Sequence, residues 1–389
     1  MRLVERHIIQ KNHRFYPEID RLCFLSKNLY NYANYLVRQS WIFEKTNLSY
    51  YDLQKILSTQ SDYQAMPAKV SQQILMIIAL NWKSFLAANE VYKQNSSKFK
   101  SRPRIPGYKN KITGRNIVVY TTQAISKRQL KQGIINPSKT EIDLKTLVPT
   151  SQIKQVRLVP KLNHYVIEVI YEATTEEKQY ELEKNRCASI DIGLNNLATL
   201  TFNQAGIKPL LINGRPLKSI NQYYNKIKSC LQSQLQENSS SKRLKKLCNK
   251  REFKINDYLH KASRLIIDTL INQKIGTLII GHNQEWKQKI SLGKRNNQNF
   301  VSVPYNKLIE MLSYKAKMVG IDVIITEESY TSASSFIDND LIPVYKKGEK
   351  NQVTFSGKRI KRCSAAKGGF PHERLHQDKE VCIVPQALD

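Results

Sequence analysis

Acidic residues are scarce in this chain of 389 residues: 32 Asp and Glu stand against 62 Lys and Arg, a formal charge of +30. Self-repulsion on that scale opposes a compact state, so a polyanionic partner is expected to neutralise it. Nucleic acid is the first candidate, and a ribosome-like or membrane-surface setting is the alternative. Cysteine is also sparse. Cys23, Cys187, Cys230, Cys248, Cys363 and Cys382 show no CxxC spacing, which argues against a disulfide framework and suits reduced thiols in a cytoplasmic protein. Long apolar runs are missing as well. The longest, residues 74–80, falls far short of the ~20 residues a bilayer demands, so no membrane partner is expected. Residues 1–7 lack the apolar stretch of a secretory signal. No internal repeat is evident.

What is present is ample material for folding. An apolar share of 41% is ordinary for globular domains, and the length provides for two or three cores. Residues 3–10 read as a strand. From Ile19, the spacing of Leu22, Leu25, Leu29, Ala33 and Leu36 predicts a helix, and residues 68–92 predict a second, with Val70, Ile74, Ile77, Ile78 and Phe85 on one side. The two are expected to pack as a small lobe whose polar faces are solvated by default, or RNA-contacting on the strength of the overall charge. Residues 93–115 carry eight Lys or Arg and no acid. Pro103, Pro106 and Gly107 disfavour helix there, so an extended basic loop is expected, with Phe99 and Tyr108 available for stacking on bases. Its candidate nucleic-acid contacts are Lys98, Lys100, Arg102, Arg104, Lys109, Lys111 and Arg115. Residues 155–159 and 165–171 flank a turn and read as a hairpin, and with strands at 116–121 and the N-terminus they suggest a β-barrel or a curled sheet interrupted by the helices. The polar stretch 174–185 reads as a linker.

The grammar then changes. Residues 187–192 form a buried-type strand ending in Asp191-Ile192-Gly193. Strands follow at 198–202 and 209–213, then two Lys-rich helices at about 217–237 and 241–273. A fourth strand at 276–280, a helix at 305–319 and a fifth strand at 321–326 complete the order β-β-β-α-β-α-β of the RNase H-like fold. Lys226, Lys228, Arg243, Lys245, Lys246 and Arg251 on the long helices are further candidates for contacting phosphates. Asp191 leaves a rigid strand beside a glycine turn, and Glu327 and Glu328 follow the fifth strand. Carboxylates converging from different strands are what metal-assisted phosphodiester cleavage requires.

The segment SIDIGLNNLATLTF (189–202) resembles the first catalytic motif of the TnpB/OrfB proteins, transposon-encoded relatives of the compact type V CRISPR effectors. The resemblance continues through residues 279–340 and 355–362 and takes in the basic loop with its helices. It implies an α/β multi-domain chain. Residues 1–18 and 100–173 would form a wedge-type β-barrel, with a helical recognition lobe inserted at 19–99. A linker at 174–185 would lead to a RuvC (RNase H-like) nuclease domain at 186–334 with a helical insertion, and residues 335–389 would form a residual target-nucleic-acid-binding region and tail. It implies a guide RNA, target double-stranded DNA and Mg²⁺ or Mn²⁺, with Asp191 and one of Glu327 or Glu328 as ligands.

Three departures stand out. Many members carry a glutamate at the tip of the fourth strand, where this chain has Gly281-His282-Asn283, so Glu327 or Glu328 is the candidate substitute. His282 is expected to be structural or phosphate-contacting. Zinc-ribbon members carry CxxC pairs after a Tyr-Thr-Ser, which are missing beyond Tyr330, so no zinc is expected. The family's closing Asp-x-Asn motif is not found. After Arg362 the text no longer resembles the family, a change of the kind a frameshift produces. Asp378 is the nearest available third acid. Cys363, His372, His376 and Cys382 in that tail read as coincidence rather than a zinc site.

Three functions follow from the resemblance. The first is an RNA-guided DNA endonuclease of a transposable element. The second is an inactive RNA-guided DNA-binding protein, either a repressor or a decayed remnant. The third, a strand-transferring transposase, also uses acids on this fold but fits the basic loop and helical lobe less well.

Overall fold

A computed structural model describes residues 1–173, 180–236, 239–283, 294–331, 334–335, 338–343 and 353–356. The chain divides into two compact units that part at residue 174.

The first unit comprises β1 (Arg2–Ile9), α1 (Tyr16–Gln39), α2 (Tyr50–Leu57), α3 (Ser61–Gln64), α4 (Ala68–Gln94), β2 (Val118–Thr121), α5 (Lys127–Leu130), β3 (Ile134–Ile135), β4 (Leu144–Lys145), β5 (Ile153–Pro160) and β6 (Tyr165–Glu172). The expected hairpin is β5–β6, closed by the pair Pro160 and Tyr165. β1 returns to β6 along its whole length, from Arg2 opposite Glu172 to Ile9 opposite Tyr165. The expected barrel does not close among the described residues. β1, β6, β5 and β2 form an open antiparallel sheet whose edge strands do not pair with each other. Its apolar face is covered by helices instead. α1 and α4 pack on each other and on β2, a layered way to bury a sheet that needs no closure.

α1 and α4 form because apolar residues recur at helical spacing and are buried together: Ile19, Leu22, Leu29 and Ala33 from one, Ile74, Ile78, Trp82 and Phe85 from the other. The Trp82 indole N–H donates to Asn34 Oδ1 at 2.9 Å and ties the two helices together. By length and composition α4 is apolar enough to cross a membrane, which the count of uninterrupted apolar residues missed. Its inward face belongs to the core of this unit.

The polar side of α1 is not the solvated face that was expected. Lys27 is 2% exposed and Asn34 fully buried. They turn onto the backbone of the basic loop. Lys27 Nζ donates to the Lys111 carbonyl at 2.7 Å, and Asn34 and Arg38 both donate to that of Pro106, at 3.0 and 2.8 Å. Asn31 both donates to the Lys109 carbonyl and accepts from its amide. The loop is therefore a strap laid along α1, with its carbonyls satisfied inward.

The second unit comprises β7 (Glu183–Asp191), β8 (Asn196–Phe202), β9 (Leu210–Asn213), α6 (Arg215–Ser233), α7 (Lys242–Asn272), β10 (Ile275–Gly281), α8 (Lys294–Val301), α9 (Tyr305–Met318) and β11 (Asp322–Thr326). Residues 183–185, read as linker, belong to β7. The sheet order is β11-β10-β7-β8-β9. β7, β8 and β9 pair antiparallel, while β10 and β11 run parallel to β7. This is the topology expected from the order of elements. A core of Ile190, Leu200, Leu278 and Ile280 from the sheet, Leu259 and Ile266 from α7 and Leu308 and Leu312 from α9 holds the layers together. The tips of the parallel strands are thereby fixed to rigid elements.

Candidate active site

Register sets the site. Ile280 lies opposite Ile190 on one side and Ile325 on the other. The next residues, Asp191, Gly281 and Thr326, therefore end three adjacent parallel strands at one level. Ala188 and Ile190 are buried, so the strand is anchored while Asp191 emerges at its end. Gly193 turns the chain toward β8, where a side chain would press on the Asn196 carbonyl.

Gly281, on the strand between the two that carry the acids, makes room for one of them. A Cβ built there would fall inside the Glu328 carboxyl group. Glu328 thus folds back from the end of β11 and fills the space a side chain on the β10 tip would take. Its backbone is held from both sides. The Glu328 amide donates to Asn283 Oδ1 at 2.6 Å, and the Thr331 hydroxyl donates to the Glu328 carbonyl at 2.9 Å. The His282 amide donates to the Thr326 carbonyl at 2.8 Å and locks the two tips together. The His282 ring bonds to Asn306 on α9 at 3.1 Å, a structural engagement.

The electrostatics are those of two acids forced into company. Burial, then the neighbouring charge of Asp191, pushes the Glu328 carboxyl up to about 7. Asp191 reaches solvent, yet crowding by protein atoms raises its carboxyl too. Glu328 Oε1 is buried without a hydrogen-bond partner. Among the described residues, neither acid has a cationic side chain as an ion-pair partner. An orphaned carboxylate oxygen beside a second carboxylate fits a hard divalent cation such as Mg²⁺ or Mn²⁺, which takes oxygen ligands. Glu327, the other candidate, is exposed and accepts from the Ser329 hydroxyl at 2.9 Å. No third His, Cys, Asp or Glu joins the pair among the described residues, and Asp378 lies outside them.

The candidate cations divide into two kinds. Lys98, Lys100, Arg102, Arg104, Lys109 and Lys111 on the strap are exposed, as are Lys226, Arg243 and Lys246 on α6 and α7, with Lys228 and Lys245 half-buried. Arg115 and Arg251 are structural. Arg115 grips Asp20 with two hydrogen bonds of 2.9 and 2.7 Å, and this holds the Asp20 carboxyl below its usual range. Arg251 donates to Asn221 Oδ1 at 2.7 Å and to the Ser302 carbonyl at 3.0 Å. Sequence reasoning missed Gly281, Asn283 and Thr331. Gly281 and Asn283 showed only as the departure at 281–283, which reads as a lost acid until the space is seen to be occupied, and Thr331 only within the Tyr-Thr-Ser that begins at Tyr330.

The second unit thus presents paired carboxylates at the tips of parallel strands of one α/β sheet. Residues 168–287 match the sequence model of a family described as a probable transposase, OrfB of the IS605 type. A CRISPR-associated endodeoxyribonuclease, Cas12f2, of Micrarchaeota archaeon is 27% identical over 174 residues, 43% of this chain and 31% of that protein. A TnpB-like protein of Methanocaldococcus jannaschii is 27% identical over 150 residues, 37% of this chain and 53% of that one. The chain thus matches about a third and about half of the length of these relatives. A solved Cas12f1–sgRNA–target DNA complex aligns over 86% of this chain and 87% of that one, at 15% identity and a TM-score of 0.33. The chain is TnpB/OrfB-like, as its motifs implied.

Proposed function

We propose that this chain is an RNA-guided DNA endonuclease of a transposable element, cutting DNA by divalent-metal-dependent phosphodiester hydrolysis. The observation that carries the reading is Glu328 turned back over Gly281, one strand from the end that bears Asp191 and within reach of its charge, with Glu328 Oε1 unsatisfied. A Mg²⁺ or Mn²⁺ ion bound there would supply Lewis-acid charge to the attacking water and the departing oxygen. Asp191 and Glu328 would hold it from two strands of one sheet. Asn283 and Thr331 fix the backbone that aims Glu328, and Gly281 leaves it room. The exposed cations of the strap and of the long helices would hold phosphates, while pairing with a guide RNA would select the target duplex. The relatives named as an endodeoxyribonuclease and as TnpB-like support this reading.

A second reading is supported by one observation: only two acids meet among the described residues. It is that the chain binds guide and target without cutting. The test is cleavage of guide-matched duplex DNA by the purified protein and its RNA in Mg²⁺ and in Mn²⁺. The expected result is cleavage that Asp191→Ala abolishes while duplex binding persists. Tight guide-dependent binding with no cleavage in either metal would decide for the second reading.

A further inference from the structure

The helix pair α6–α7 carries a site of its own. α6 has no acidic residue in its 19. Residues 242–254 of α7 hold seven Lys or Arg against one acid, Glu252. Between the helices lies a cavity of about 270 Å³ lined by Ser219, Ile220, Tyr223 and Tyr224 from α6 and Leu247, Lys250, Arg251 and Lys254 from α7, with no carboxylate.

Its parts differ in how firmly they are held. The Tyr224 hydroxyl pairs with Cys248 Sγ at 3.4 Å, and the Arg251 guanidinium lies 4.8 Å from the centre of the Tyr224 ring. Arg251 is in turn anchored by Asn221, itself 1% exposed. Tyr224 and Arg251 therefore make a fixed wall. Tyr223 is 60% exposed, so its ring is offered to solvent at the mouth. Lys250 and Lys254 are exposed beside it, with no acidic partner among the described residues.

We infer that this cleft takes one unstacked base of a DNA single strand, stacked on Tyr223, with Lys250 and Lys254 meeting the phosphates on either side. An aromatic platform flanked by cations is the chemistry that binds single strands regardless of sequence. A duplex keeps its bases stacked inside and would leave the concave aromatic wall unused. The choice of DNA over RNA rests on the proposed function.

The experiment uses full-length protein carrying Asp191→Ala, so that binding is read without cleavage and independently of whether the nuclease reading holds. Oligo(dT), oligo(U) and a duplex of equal length are the probes. Tyr223→Ala is expected to weaken oligo(dT) binding roughly ten-fold, Tyr223→Phe by less than about two-fold, and duplex affinity is expected to stay near its starting value. Lys250→Ala with Lys254→Ala should lower the log–log salt slope by about 1.4, whereas Tyr223→Ala should leave it unchanged. Tyr223→Trp reports on the site directly: oligo(dT) should quench its added fluorescence. Tyr223 is exposed, so these variants keep the fold, which circular dichroism checks. Equal losses on strand and duplex, or no loss and no quenching, would overturn the inference. Quenching by oligo(U) alone would overturn the assignment to DNA.

Discussion

Placing a methyl group on Gly281 is the smallest change that tests how the two acids are brought together. The new Cβ falls inside the Glu328 carboxyl group, so either that side chain swings away or the strand tip moves. The tip is the stiffer of the two, because Gly281 pairs with Thr326 across the sheet and the His282 amide bonds the Thr326 carbonyl at 2.8 Å. Glu328 is therefore the part that yields. A reacting constellation displaced by about 1 Å loses on the order of 100-fold in rate. Overpacking costs about 1–3 kcal/mol where nothing can move. Here the lower end is expected, since the departing carboxyl also escapes its repulsion from Asp191. Gly281→Ala should thus cut guide-matched DNA about 100-fold more slowly, with a Tm within about 5 °C of the parent. A double change, Gly281→Glu with Glu328→Gly, delivers a carboxyl to the same space from β10 and should cut faster than either single change. Wild-type rate and Tm in Gly281→Ala would refute the placement of Glu328, and a double variant no better than the singles would refute the equivalence of the two routes.

Further outcomes follow from the charges. Glu328 is raised from 4.5 to about 7, so the folded chain keeps a proton that the unfolded chain releases between those values. The stability tied to that proton is complete below 4.5 and is lost as pH rises through about 7. In chelator at about pH 8 the ionised group should cost about 2 kcal/mol, a figure reduced for its partial exposure. Glu328→Gln should therefore melt above the parent at about pH 8 and level with it at about pH 4. Parallel pH profiles would refute the burial. Arg115→Lys keeps the charge but loses the two-pronged grip on Asp20, so it should cost about 1–2 kcal/mol of unfolding free energy in a denaturant titration without changing the salt slope of DNA binding. Arg104→Ala should do the reverse, leaving stability alone and lowering that slope by about 1. A slope that falls by about 1 on Arg115→Ala would instead place Arg115 among the cations that meet phosphates.

Much of the second unit was legible because its strands are written in different patterns. A buried run closing on Asp191-Ile192-Gly193 reads as a buried strand with an acid at its end, and the remaining elements follow in the order the topology requires. The choice between Glu327 and Glu328 was not legible. Side-chain alternation is fixed only while the strand lasts, and β11 ends at Thr326. Beyond it, the direction each glutamate takes is set by the Asn283 bond to the Glu328 amide, a contact 45 residues away in sequence. Sheet closure in the first unit is likewise a long-range property that four strand patterns leave open. α2 was missed for a different reason. Its signal was local and overlooked: Ser49 and Asp52 form a capping box, with Leu53 and Leu57 one turn apart and buried.

The strap along α1 shows why charge patterning alone misjudged that helix. A loop rich in Lys and Arg and bounded by prolines has carbonyls that no strand or helix satisfies, and each one left buried and unpaired costs free energy. α1 meets that need with Lys27, Asn31, Asn34 and Arg38, which is why residues suited to a solvated face lie against protein. With the backbone fixed from within, Arg104, Lys109 and Lys111 are exposed on a chain already ordered. Ordering a flexible segment on binding is a cost that a preformed one avoids. The polar residues inside α1 and the exposed cations outside it are therefore two halves of one device, the first rigidifying what the second presents to solvent.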